Sequence, residues 1–107
     1  MMINKNNIFD YIQTLSDSEL FEDLLKKDNL KLERIISYPN SVPENKWYDQ
    51  GNDEWIILLK GSATLQFEND EIVKLLPGDY LLIPAHSKHK VKDVNKHEPT
   101  IWLALHY

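Results

Sequence analysis

From Leu30 onward the chain is a succession of short apolar runs punctuated by turn chemistry at Gly51-Asn52-Asp53, Gly61, Asn69-Asp70, Pro77-Gly78-Asp79 and Pro84-Ala85. Short strands with turns at this spacing build an all-β sandwich or barrel. The most informative stretch is 77–89. Pro77 presets φ and Gly78 takes the positive φ of the bend, so Tyr80-Leu81-Leu82-Ile83 follows as a strand. Pro84 cannot donate to a sheet ladder and ends it. His86 and His89 are thereby left on or just after the exit loop, where a β scaffold displays chemistry.

Period-two alternation predicts strands over residues 30–37, 54–60, 62–68, 71–76, 80–83, 89–94 and 100–107. Ahead of them, Ser16-Asp17-Ser18-Glu19 reads as a capping box, with Leu15 and Leu20 placed as a hydrophobic staple. Leu20, Phe21, Leu24 and Leu25 share a helical face, and Glu22/Lys26 and Asp23/Lys27 fall at i,i+4. This pattern predicts a helix over residues 17–27, and a weaker one is suggested over 6–14. The 107 residues are thus expected to form one domain, a helical cover over 1–29 and a β-barrel over 30–107.

With no cysteine, thiolate nucleophiles, thiolate zinc sites and redox roles are excluded. No apolar run is long enough to span a bilayer, and Met1-Met2-Ile3-Asn4-Lys5-Asn6-Asn7 lacks the apolar segment of a signal peptide, so the expected location is the cytoplasm. A net charge of −5 with dispersed lysines argues against a nucleic-acid partner. Lys88, Lys90 and Lys92 alternate onto one strand face and read as its solvated side. Three glycines are too few for a phosphate-cradling loop or a dinucleotide fingerprint, so no nucleotide cofactor is expected.

Glu54 opens the most apolar strand and shares a face with Ile56 and Leu58. If that face is internal, its carboxylate needs a proton, a hydrogen-bond partner or a cation. Trp55 then points the opposite way, toward the helical cover or a subunit contact. Arg34, the only arginine, either orients an anionic ligand or pairs with an acid across the sheet. His106 shares a face with Trp102 and Ala104 and is either a core histidine or a pocket residue; His97 reads as exposed. Tyr48 and Trp102 are candidate pocket walls.

Two spacings carry a resemblance. Glu54 precedes Gly61 as E(X)6G, and the segment from Gly78 reads G(X)5PXH(X)2H(X)3D. These resemble the two motifs of the cupin superfamily, G(X)5HXH(X)3,4E(X)6G and G(X)5PXG(X)2H(X)3N, and the segment Trp47-Tyr48-Asp49-Gln50 is similar to one in small bacterial single-domain cupins. The resemblance implies a double-stranded β-helix, a jelly-roll-like antiparallel barrel, whose pocket holds a divalent metal such as Zn, Fe, Mn or Ni. Glu54 and His89 match the family's Glu and second-motif His. The paired histidines of the first motif are absent, which leaves Asp49 or Gln50 as oxygen donors, while His86 stands in the family's Gly position as a further imidazole. The implied function is a metal-dependent enzyme on a small organic metabolite, such as a dioxygenase, isomerase or lyase. The alternative is a metal-free module that binds or senses a small ligand. Pairing through an outer sheet implies a homodimer.

Overall fold

The computed structural model describes residues 2–12, 16–41 and 46–107. They form β1 (Leu20–Lys27), β2 (Leu30–Ser37), β3 (Glu54–Lys60), β4 (Ala63–Phe67), β5 (Ile72–Leu75), β6 (Tyr80–Ile83), β7 (His89–Val94) and β8 (Thr100–His106). One antiparallel sheet has the order β1-β2-β8-β3-β6 and the other β5-β4-β7. Among the described residues, no helix is long and apolar enough to cross a membrane.

The seven strands expected from Leu30 onward are present, most of them within a residue or two of the alternation. Their inward faces meet in one core: Ile56, Leu58 and Ala104 from the larger sheet pack with Leu65, Leu75 and Val94 from the smaller. Trp102 is buried there, its indole N–H donating to Ser37 Oγ at 3.1 Å. Gly61 lets two strand ends approach: with φ at +89°, a Cβ here would stand 2.8 Å from Thr100 Cα.

Two expectations are corrected. The sheets do not close into a barrel; among the described residues no strand of one sheet pairs with a strand of the other. The chain passes from β5 to β6 through Pro77-Gly78-Asp79, where the Gly78 amide donates to Leu58 O at 2.7 Å. That bend ends one ladder and begins another, so the two sheets stay separate.

The segment read as a helix over 17–27 is strand β1, paired antiparallel with β2 from Leu20 opposite Ile36 to Lys27 opposite Leu30. Its register shifts between Asp23 and Leu25. One extra residue moves the later apolar side chains out of period-two phase, so the interrupted strand imitates helical spacing. β2 would otherwise present an unpaired edge, and satisfying that edge outweighs the modest helix propensity of the segment. Ser16 Oγ accepts the Ser18 amide at 3.3 Å, a local turn into β1 rather than a helix cap. Residues 6–12 form a turn and no helix; Thr14 and the staple partner Leu15 lie outside the described residues.

Candidate functional site

A cavity of about 470 Å³ opens between the sheets, its apolar wall supplied by Ile35, Ile56, Leu65, Val91 and Trp102. Opposite this wall runs a connected series of ionisable side chains. Ladder register explains most of it. His106 on β8 lies directly opposite Glu54 on β3 and opposite Lys31 on β2. Glu33, two residues along β2 on the same face, comes within reach of the imidazole as a diagonal neighbour. Its Oε1 stands 2.8 Å from His106 Nε2, and Glu54 Oε2 is 3.7 Å from the same nitrogen.

His89 reaches the series from the other sheet. Its backbone exchanges two hydrogen bonds with Tyr48, at 2.7 and 3.1 Å, and its ring lies between Tyr48 and Phe67, with centroids at 5.8 and 5.9 Å. Nδ1 is 2.9 Å from the Ser87 carbonyl, so it is the protonated nitrogen and donates there. That leaves Nε2 toward Glu54 Oε1 at 3.5 Å. Gln50 Nε2 donates to the same carboxylate oxygen at 3.2 Å. The order along the cavity wall is therefore Glu33, His106, Glu54, His89, with Glu54 shared between two imidazoles.

Burial opposes a charged His89, with only 7% of the residue exposed. The hydrogen bond to Glu54, the Ser87 carbonyl and the Glu54 charge together outweigh that penalty and hold the imidazole pKa above its ordinary 6.5. Glu33 shows the converse balance. Burial would raise its pKa, but the His106 hydrogen bond and the Lys31 ammonium, at 3.6 Å, hold it below the usual carboxylate value of 4.5. The wall thus holds one carboxylate biased toward its ionised form and one imidazole biased toward its protonated form.

Of the residues singled out from the sequence, Tyr48, Gln50, Glu54, His89, Trp102 and His106 line this cavity. Asp49 and His86 are not among its walls. They face each other at 3.0 Å, with side chains 42% and 72% exposed. His86 adopts φ +64°, so it keeps the left-handed backbone for which glycine is the natural choice. Arg34 is also outside the cavity. It lies on the other face of β2, bidentate to Glu22 Oε2 at 2.7 and 3.1 Å, and donates through Nη1 to the carbonyls of Ile8 and Asp10. Of its two sequence readings, the cross-strand pair is the one formed. Sequence reasoning passed over Glu33, and with it Glu19, Asp23 and Lys31, which also line the cavity; the period-two pleat of β2 puts Glu33 on the face opposite Arg34.

The profile of the cupin domain family matches residues 36–106. The chain is a cupin. A solved structure of a proposed mannose-6-phosphate isomerase from Ralstonia eutropha JMP134 is 39% identical, with a TM-score of 0.90 over 97% of each chain. A cupin superfamily protein from Desulfitobacterium hafniense DCB-2 is similar at 22% identity and a TM-score of 0.73, over 89% of this chain and 82% of that one. Hydroxypropylphosphonic acid epoxidase from S. wedmorenis shares the fold at 14% identity and a TM-score of 0.72, over 85% of this chain and 51% of that one. No curated protein matches the sequence.

Many cupins hold a metal in this position, which makes the donor set of the present chain a direct question. Among the described residues, no three His, Asp or Glu side chains are placed as a ligand group. The reason is local. Asp49 Oδ1 and His86 Nδ1 pair with each other at 3.0 Å outside the cavity, and His106 Nε2 is engaged by Glu33. His89 Nε2, Glu54 and the Gln50 amide are what remains together, and the latter two are already hydrogen-bonded to each other. The residues present do not fit a resident divalent metal in this arrangement.

Proposed function

We propose that this cupin is a cytoplasmic protein that takes a small organic metabolite into the cavity between its sheets and acts on or senses it without a resident metal. The observation that carries this reading is Glu54, held between His89 and His106 on the polar wall of a cavity whose opposite wall is apolar. A protonated His89 donates a hydrogen bond, and the Glu54 carboxylate accepts one. Together they suit a ligand with a hydroxyl or carbonyl group at one end and an apolar body. Positioned acid and base side chains of this kind also serve proton transfer. The isomerase proposed for the Ralstonia relative falls in that class of chemistry; fold alone does not assign it here.

The test is a thermal-shift screen of untagged protein against aldoses, ketoses and hydroxy acids, run alongside metal analysis. The expected result is a ligand whose stabilisation disappears in Glu54→Gln and His89→Gln, with metal well below one equivalent. Stoichiometric Zn, Fe, Mn or Ni, lost in those variants, would restore the metal-dependent reading instead.

A further inference from the structure

At the end of the polar wall where His106 stands, a second hollow of about 230 Å³ opens beside the large cavity and shares Lys31, Gln50 and His106 with it. Its outer side is the β1–β2 hairpin, which turns at Asp28-Asn29. Ladder register sets Lys26, Lys31, His106 and Glu54 in one row across four strands. Lys26 thus stands directly opposite Lys31 on the face that lines the cavity, a position in which two ammoniums repel. Lys31 has a counter-charge in Glu33 at 3.6 Å. Among the described residues, the exposed Lys26 and Lys27 have no carboxylate within ion-pair distance. The hollow as a whole sets three ammoniums, those of Lys26, Lys27 and Lys31, against the one carboxylate of Asp28.

We propose that this hollow seats a phosphate monoester at one end of the metabolite; the proposal rests on the large cavity being the site of the rest of that molecule. Charge selects the group. A monoester carries about −1.5 to −2 at pH 7, roughly twice the charge of a carboxylate and matched to two lysines that lack a counter-charge. An anion between Lys26 and Lys31 turns a repelling cross-strand pair into two attractive contacts, and ammoniums serve phosphate as point charges whose donors rotate to meet it. The large cavity offers no competing seat, because Asp23, Glu33 and Glu54 line it and like charges disfavour an anion there. The same carboxylates orient the molecule, with its phosphate toward the hairpin and its hydroxyl or carbonyl end toward Glu54 and His89. At the usual strand spacing the row from Lys26 to Glu54 spans about 14 Å, which the lysine stems shorten. One compact molecule reaches both ends.

The test is a pair of titrations of the full chain at low ionic strength. In the first, inorganic phosphate is followed through the backbone amide NMR signals of residues 26–31. These signals are expected to shift in wild type and equally in Glu54→Gln, and to stay in place in Lys26→Gln/Lys27→Gln, whose two changes fall on exposed side chains. In the second, calorimetry compares glucose, gluconate and glucose 6-phosphate. The 6-phosphate is expected to bind about tenfold more tightly than glucose. That advantage disappears in Lys26→Gln/Lys27→Gln, and at about 1 M salt, where the screening length is about 3 Å. Inorganic phosphate that moves no hairpin signal, or moves the signals as far in the double variant, overturns the proposal. So does equal affinity for the 6-phosphate and either gluconate or glucose. Hairpin shifts that persist while no sugar's affinity depends on Glu54 support the anion seat and count against the cavity reading alone.

Discussion

His106 Nε2 stands 2.8 Å from Glu33 Oε1, with both side chains about nine-tenths buried. The contact joins strands from opposite ends of the β region and fixes the imidazole that faces Glu54. Glu33→Ala strands a buried imidazole and is expected to cost about 3 kcal/mol of unfolding free energy in urea. Since the folded Glu33 pKa lies below 4.5, its stabilisation is present above that value and is lost as pH falls through the folded pKa. Acid denaturation is therefore expected to be shallower in Glu33→Ala than in wild type, as followed by circular dichroism.

His86 occupies a left-handed position at φ +64° and its side chain is mostly exposed. Replacing it with glycine relieves backbone strain and removes only a surface pair with Asp49. His86→Gly is expected to leave stability unchanged or raise it by up to about 1 kcal/mol, with no change in the His89 titration. A larger loss, or a moved titration, would put His86 back in the site.

Two glycines with similar φ separate strain from collision. At Gly78, φ is +93° and a Cβ would meet nothing within 4 Å; at Gly61, φ is +89° and a Cβ would meet Thr100 backbone and side chain at 2.5 to 3.0 Å. Gly78→Ala is expected to cost about 1–2 kcal/mol, and Gly61→Ala about 3 kcal/mol or more. Equal losses in thermal unfolding would contradict the close approach of the β3–β4 turn to the start of β8 at this point.

The β region was readable because its strands have one buried face and its turns carry their own chemistry. Leu30–Ser37, Glu54–Lys60 and His89–Val94 begin and end where alternation places them. β1 was not readable, because its bulge at Asp23 and Leu25 breaks the period on which a strand is recognised. Its identity depends on the edge of β2, a tertiary fact. The site shows the same division. Glu54 and His89 announce themselves by an acid on an apolar strand and by motif spacing, whereas the partnership of Glu33 with His106 follows from the register of β2 on β8. Asp49 and His86 were drawn into the candidate set by motif alignment, Asp49 at a place of the missing first-motif histidines and His86 at the family's Gly position. The left-handed turn at His86 instead accompanies their pairing with each other outside the cavity.

The pairing of Glu54 with His89 is most directly tested by titrating the His89 imidazole by NMR in wild type and Glu54→Gln. With a folded pKa above 6.5, the pair stabilises the protein fully below that pH, and the contribution fades as pH rises through the folded pKa. The expected result is a wild-type midpoint above 6.5 that falls when the Glu54 charge is removed, together with loss of the stability difference between the two proteins at high pH. A wild-type midpoint at or below 6.5, or one that Glu54→Gln leaves in place, would contradict the site described for this cupin.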